Sequence, residues 1–339
     1  MKLILDAMGG DNAPLEILKG AAQAVAEYPD IELVLTGREN ELRDLCEKEK
    51  ISLERISFID APEVVTMEDP AQSVVMSKKN SSMGIGLRTL ASGGGDAFIS
   101  AGNTGALMTG ATLLVRCVKG VKRAAIATIL PMEKPVLMID SGSNVTVTPE
   151  YLLQFAVLGS VYMEQLFGIE RPKVGLLNNG TEDHKGTPTM VEAHKLLRAC
   201  EGINFVGNVE AKTIPFGECD VLVTDGFTGN IVLKTIEGLS KFMMKKLKGI
   251  FLKNAFSKVA ALMIKKEFSG LKKSFDASEY GGAPFLGISK PVFKAHGSSD
   301  AKAIKNAIRQ ARDYVSKGVP GIIDERIAMS IAQNAAKEV

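Results

Sequence analysis

The sequence predicts an α/β fold built on a mostly parallel sheet covered by helices on both faces. Three observations lead there. Short apolar runs alternate with helix-period stretches from the first residue onward, and many of the 33 glycines fall just after those runs. A composition of 45% hydrophobic and 24% charged residues over 339 positions suits a soluble chain with a large buried core. Alternating strands and helices imply parallel strands joined by helical crossovers.

Leu3–Leu5, Ile31–Leu35, Ile56–Ile59 and Ala97–Ser100 read as the first strands. Ala125–Leu130, Val136–Ile139, Val174–Leu177 and Val221–Thr224 continue the series. Between several of them lie Leu15–Ala26, Glu150–Phe167 and Met190–Cys200, which are amphipathic or apolar-periodic at helical spacing. No Pro/Ser-rich linker, low-complexity run or repeat marks a boundary. Residues 1–339 are therefore expected to form a single unit, with a helical elaboration after about residue 235.

Composition also excludes several functions. The formal charge is +2, from 41 basic and 39 acidic residues, which does not suit a nucleic-acid coat. Cys46, Cys117, Cys200 and Cys219 lie far apart without a CxxC pair, so they read as buried or half-buried thiols rather than a zinc ribbon or disulfide framework. His184, His194 and His296 are too few and too scattered for a metal site, and neither metal nor cofactor is expected. After Lys2 a run of only three apolar residues reaches the carboxylate of Asp6, which is no signal-peptide core. No apolar run approaches the roughly 18 residues of a membrane span, so the expected location is cytoplasmic.

In an open parallel sheet, loops at the carboxyl ends of strands line the ligand crevice. Five loops have that place: Asp6-Ala-Met-Gly-Gly-Asp-Asn-Ala-Pro14, Ser100-Ala-Gly-Asn-Thr-Gly-Ala106, Asp140-Ser-Gly-Ser-Asn144, Asn178-Asn-Gly180 and Asp225-Gly-Phe-Thr-Gly-Asn230. Glycine lets backbone N–H groups approach a ligand, and a following helix N-terminus favours negative charge, so such loops suit phosphate. Any one of them also reads as an ordinary turn. Together they favour one shared anion site. GxxxxGK[ST] and GxSxG are absent, and Gly84-Ile-Gly86 lacks the strand and third glycine of a dinucleotide fold.

These loops resemble the PlsX family of bacterial acyl-carrier-protein:phosphate acyltransferases. The likeness rests on Asp6-Ala-Met-Gly-Gly-Asp11, Ser100-Ala-Gly-Asn-Thr-Gly-Ala-Leu-Met108 and Leu177-Asn-Asn-Gly-Thr-Glu-Asp-His-Lys-Gly186. It continues through Thr224-Asp-Gly-Phe-Thr-Gly-Asn-Ile-Val-Leu-Lys234, Glu279-Tyr-Gly-Gly-Ala-Pro284 and Lys294-Ala-His-Gly-Ser-Ser299. Two segments depart: serines stand in Asp140-Ser-Gly-Ser-Asn144 where Asp-x-Gly-Ala-Asn is more usual, and Glu210-Ala-Lys-Thr213 replaces Glu-Gly-Arg-Asp.

The resemblance implies a three-layer α/β/α fold like isocitrate and isopropylmalate dehydrogenases, and a homodimer. It also implies transfer of a long-chain acyl group from acyl carrier protein to inorganic phosphate. The acyl phosphate would feed a membrane-bound glycerol-3-phosphate acyltransferase of phospholipid synthesis.

Phosphate can itself attack a thioester, so the protein must supply orientation, oxyanion donors and help for the leaving thiolate. The substrate-binding candidates are Gly9, Gly10, Asp11, Asn103, Thr104, Asn144, Asn178, Asn179, Asp225, Asn230 and Lys234. Asn103 and Thr104 begin a helix, where they bind ligand or cap it. Asn230 and Lys234, four apart, share one helix face. Lys185, in a loop with Asn178 and Asn179, is the first catalytic candidate, suited to phosphate or an oxyanion. His296 is the second, as proton donor or phosphate ligand. His184 ranks behind it, and His194 reads as structural.

Lys241 to Lys273 holds ten lysines, one acid and apolar residues at roughly helical spacing. This segment is expected to form helices, broken near Gly249, that project from the body to meet lipid or an acidic carrier protein. Lys245, Lys246, Phe251, Phe256 and Leu262 are its docking candidates. Without it the chain holds 31 basic against 38 acidic residues, so a body of −7 carries a segment of +9. A phosphotransacetylase-like transfer between coenzyme A and phosphate, a dehydrogenase and a non-catalytic membrane-surface adaptor are the competing readings. The basic apolar segment argues against the first, the missing cofactor signature against the second and the glycine loops against the third.

Overall fold

Leu3 and Leu5 of the first strand are buried in one core while Ile4, between them, is buried in another. Opposite faces of a strand alternate, so both faces of the sheet are covered. A computed structural model describes residues 1–254, 256–257, 263 and 277–337. The strands are β1 (Lys2–Asp6), β2 (Glu32–Gly37), β3 (Ile56–Asp60), β4 (Ala97–Ser100), β5 (Ala125–Pro131) and β6 (Pro135–Ile139), followed by β7 (Lys173–Asn178), β8 (Asn204–Glu210), β9 (Val221–Val223), β10 (Ala283–Leu286) and β11 (Val292–Lys294). They join in one sheet, ordered β3-β2-β1-β4-β11-β10-β5-β6-β9-β7-β8.

The pairing divides this sheet into two parallel blocks. β3, β2, β1, β4 and β11 run one way, and β6, β9, β7 and β8 run together in a second block. Between them β10 is antiparallel to both β11 and β5, and β5 is antiparallel to β6. The second block therefore points opposite to the first. Its carboxyl ends do not share an edge with those of β1, β4 and β11, contrary to the picture of five loops in equivalent positions. A twisted sheet is saddle-shaped, however, so diagonally opposite corners rise on the same face.

One face is covered by α1 (Leu15–Glu27), α2 (Glu39–Glu49), α5 (Pro149–Phe167), α6 (Pro188–Ala199), α8 (Ala301–Ser316) and α9 (Val319–Lys337), whose apolar stripes join one continuous core. On the other face the core is split. Ile126 packs with α3 (Ser82–Ala91) and α4 (Thr104–Gly110), while Leu130 at the far end of the same strand belongs to a cluster lined by Val232, Leu233 and Ile236 of α7 (Gly226–Phe251).

Asp225 starts α7 by accepting the N–H groups of Phe227 and Thr228, which satisfies two of the donors left free at a helix start. Of the 26 residues that follow, only Gly226 and Gly229 are buried. The helix is about 39 Å long at 1.5 Å per residue and ends at Phe251, two residues past Gly249, which is where a break was expected. A lone glycine costs a helix about 1 kcal/mol, which weakens its last turn. No helix among the described residues is long and apolar enough to cross a membrane.

Candidate active site

The first block assembles around Asp6, a fully buried carboxylate at the end of β1. Its Oδ2 accepts from Ser100 Oγ at 2.7 Å, and Ser100 Oγ accepts from Gly102 N–H at 3.0 Å. Burial raises the Asp6 pKa, against the lowering effect of hydrogen bonds from Ser82, Ser100, Met8 and Gly9. Gly9 lies so close that a Cβ there would sit 2.6 Å from Asp6 Oδ2 and 2.8 Å from Gly102 N. Only glycine allows the two loops this contact.

The loop after β11 closes onto the same cluster. Gly297 O accepts from Asp11 N–H at 2.8 Å, and Asn12 Nδ2 donates to the carbonyls of Ser298 and Ser299. Lys294, the last residue of β11, donates to Ala101 O at 3.0 Å and to Ala295 O. Burial lowers its pKa to about 8, with Asp6 and Asp11 opposing that fall and Lys234 adding to it.

In the second block Asp140 is the centre. Its carboxylate accepts from the N–H groups of Gly142, Ser143 and Asn144, from Ser143 Oγ and from Asn144 Nδ2, all between 2.7 and 3.0 Å. Asn144 O accepts from Gly226 N–H at 2.8 Å, tying this turn to the start of α7. Asn230 lies against Gly142, its Cγ 3.7 Å from where a Cβ would be.

α7 connects the two blocks. Asn230, Lys234, Glu237 and Lys241 are spaced four, three and four apart and share one stripe of the helix. Lys234 Nζ lies 2.8 Å from Glu237 Oε2. Loss of water lowers the His296 pKa; Glu237 opposes the shift while Lys234, Lys294 and Lys241 add to it. At neutral pH the ring is therefore uncharged. Its Nδ1 accepts from Ser298 N–H at 3.2 Å and lies 2.9 Å from Ser298 Oγ, which puts the proton of the neutral ring on Nε2. Nε2 has no hydrogen-bond partner among the described residues, so it can donate to an anion or a developing oxyanion.

The structure thus brings Gly9, Gly10, Asp11 and His296 into one cluster, and Asn144, Asp225 and Asn230 into another, with Lys234 reaching from the second toward the first. Asn178, Asn179 and Lys185 form a third group. Asn178 Nδ2 donates to Lys185 O at 3.0 Å, and Lys185 Nζ is 4.0 Å from Glu182. The described hydrogen bonds hold this loop to β8 through Asn208 and not to the other two clusters. Asn103 Oδ1 caps α4 at Ala106 N–H, while its Nδ2 faces the carbonyls of Thr66, Met67 and Asp69. Thr104 is the first residue of α4.

His194 is buried between Asp183, at 3.2 Å, and the ring of Phe205, as expected of a structural histidine. Lys294 is the residue that sequence reasoning passed over as a site group. A lysine closing a Val-Phe-Lys strand was the available signal, because a charge inside a buried sheet needs partners.

Burial pushes up the thiols of Cys46, Cys117 and Cys219, the last to about 12, which makes them poor nucleophiles. Among the described residues no group of His, Cys, Asp or Glu could hold a metal ion. On the distal part of α7, Lys245 and Lys246 are exposed and Phe251 is half-buried. Phe256 beyond it is 85% exposed, and Leu262 lies outside the described residues.

Comparison with known proteins agrees with this architecture. A phosphotransacetylase from Streptococcus pyogenes superimposes with a TM-score of 0.65 at 18% identity, over 93% of this chain and 94% of that one. A 4-hydroxythreonine-4-phosphate dehydrogenase from Burkholderia phymatum gives 0.50 at 14%, over 92% and 97%. At these identities the likeness concerns the fold, an α/β/α layering shared by phosphotransacylases and a dehydrogenase.

Sequence relatives go further. The phosphate acyltransferase of Thermoanaerobacter pseudethanolicus is 47% identical over 328 residues, covering 96% of this chain and 97% of that protein. That of Geobacillus thermodenitrificans is 46% identical over 325 residues, covering 95% and 98%. The family model described as fatty acid synthesis protein matches residues 1–321. With a family match over nearly its whole length and relatives this similar, the chain belongs to the fatty acid synthesis protein (PlsX) family of phosphate acyltransferases.

Proposed function

We propose that this chain transfers a long-chain acyl group from acyl carrier protein to inorganic phosphate, giving an acyl phosphate for phospholipid synthesis. One helix supports both halves of the reading. The amino end of α7 sets Asn230 and Lys234 at the anion cleft, and its distal half exposes Phe242, Met243 and Ile250 among Lys241, Lys245, Lys246 and Lys248. A small soluble donor needs no such face. An acidic carrier protein, or an anionic membrane surface beside which the product is used, does.

In the reaction a phosphate oxygen attacks the thioester carbonyl, a C–O bond forms, the C–S bond breaks, and the carrier thiolate takes up the proton that phosphate releases. Lys234 holds the phosphate among the backbone N–H groups of the glycine loops, and Lys185 meets it from its own loop after β7. Nε2–H of His296 donates to the developing oxyanion, a role that a neutral imidazole fills without a change of charge. The enzyme works as a homodimer on the cytoplasmic side of the membrane, attached peripherally and close to the membrane-bound acyltransferase that consumes its product.

A phosphate-dependent assay for acyl phosphate, run with long-chain acyl carrier protein and with coenzyme A thioesters, tests the proposal. Preference for the carrier protein by tenfold or more is expected, on the order of what one charged hydrogen bond contributes. Equal use of coenzyme A thioesters would turn the reading to a phosphotransacetylase. Near-normal activity of folded Lys185→Ala and His296→Ala would overturn the residue roles alone.

A further inference from the structure

Lys294 touches backbone rather than solvent. Its side chain is buried at 9% exposure, and lysines are seldom so buried without partners. Two of its three ammonium protons go to the carbonyls of Ala101 and Ala295, and among the described residues none of the hydrogen bonds uses the third.

Those two carbonyls sit at telling places. Ala101 lies between Ser100, which holds Asp6, and Gly102, which Gly9 touches. Ala295 donates its N–H to Ser100 O at 2.9 Å and immediately precedes His296. Gly10, at φ +108°, fits against both Ala101 and Gly297 O.

We propose that Lys294 is the positioning residue of the phosphate site, its ammonium tying the loops after β1, β4 and β11 into one anion-binding surface. This rests on the reading of the cleft as a phosphate site. Asp6 and Asp11 balance the ammonium from the first block and Lys234 faces it from α7. The same charge acts on His296, which also faces Glu237, Lys234 and Lys241. Without Lys294 the carbonyls of Ala101 and Ala295 lose their shared donor, so the loops part and both Gly297 and His296 shift. His296 then also loses one of the three cations that favour its neutral form, while Glu237 stays.

The test uses Lys294→Met, which keeps length and removes charge. Binding of inorganic phosphate is read by phosphorus NMR line broadening, and the His296 ring by proton–nitrogen NMR across pH, assigned among the three histidines with His296→Gln. Phosphate is expected to bind about tenfold more weakly or worse, as for loss of a charged hydrogen-bonding group, and His296 to titrate at higher pH than in wild type.

Should the single variant fold poorly because Asp6 loses its counter-charge, Asp6→Asn/Lys294→Met removes both buried charges. It is expected to regain thermal stability without regaining phosphate affinity or the wild-type titration of His296. Phosphate affinity within about twofold of wild type in either folded variant overturns the proposal. Failure of the functional reading looks different: wild type binds phosphate but makes no acyl phosphate from any thioester.

Discussion

The backbone N–H of Asp11 donates to the carbonyl of Gly297 at 2.8 Å, so a loop from the start of the chain and one from near its end form a single wall of the cleft. Gly10 makes that contact possible. At φ +108° it occupies a conformation that side chains rarely adopt, and a Cβ would lie 2.9 Å from Ala101 Cβ and 3.0 Å from Gly297 O. Gly10→Ala is expected to destabilise the fold by about 1–3 kcal/mol, through backbone strain and overpacking together. Denaturant unfolding measures that loss. A severalfold higher KM for phosphate should accompany it, since the wall itself moves.

Asn103 offers a separate test of cap against ligand. Its oxygen accepts from Ala106 N–H at 3.0 Å and its amide nitrogen faces three carbonyls, so both ends of the side chain are engaged by protein. Asn103→Ala should cost about 1–2 kcal/mol in unfolding experiments, the usual worth of a cap. Asn103→Asp keeps the cap but turns a carboxylate oxygen toward carbonyls, and should be no more stable than the alanine variant. An unchanged unfolding midpoint with a raised phosphate KM would instead assign Asn103 to the substrate.

His296 sets the acid side of the pH profile. Its folded pKa is below its ordinary value because of lost water and the surrounding lysines, so its neutral form persists to lower pH than that of a free histidine. A depressed pKa gives stability that is full above the unfolded value of 6.5 and is lost as pH falls through the folded one. Activity should fall in the same window, below pH 6.5, as the ring charges and its Nδ1 can no longer accept from Ser298. Ser298→Ala removes one partner of Nδ1 and should lower kcat about two- to tenfold, in keeping with the loss of one modest hydrogen bond. Rate profiles of wild type and Ser298→Ala, with NMR titration of the ring, check both statements.

Lys294 governs the alkaline side of the stability curve. Its pKa is about 8 folded against 10.5 unfolded, so the unfolded chain holds the extra proton between those values and stability rises with pH across that window. Relative to Lys294→Met, wild type should gain about 3 kcal/mol from pH 8 to 10.5, the linkage equivalent of that difference. Parallel denaturant titrations of the two proteins measure it, since Asp6 is common to both.

Eight strands were legible as apolar runs because each is rich in branched side chains and ends at a turn. Three were not. β8 carries Gly207 at φ +104° beside a register shift, β10 contains Pro284, and β11 ends on a lysine after two apolar residues, so none reads as an unbroken apolar run. Those hidden strands decide the topology. The three residues between β5 and β6 demand an antiparallel hairpin, but without β10 and β11 the two blocks cannot be ordered in one sheet, so loops that lie on oppositely directed strands look equivalent. Local chemistry was easier to see than its assembly: Gly9, Gly10 and His296 stand in visible motifs, while the bond from buried Lys294 to Ala101 O depends on strands distant in sequence.

The distal half of α7 separates lipid from carrier protein by which side chains matter. Phe242, Ile250 and Phe256 are exposed at 56%, 62% and 85%, so replacing them with glutamine should leave stability within about 0.5 kcal/mol of wild type. Co-sedimentation with anionic liposomes should nevertheless drop severalfold, because transfer of each ring or branched chain into the interface is lost. Lys245→Glu/Lys246→Glu reverses two exposed charges on the same helix and should weaken binding of acidic acyl carrier protein by at least about tenfold at low salt, with the deficit shrinking as salt screens it. Activity on a soluble short-chain thioester should survive both sets, since none of these residues reaches the cleft. Carrier affinity unchanged by the charge reversals would remove the carrier protein from this face and leave the lipid surface as its partner.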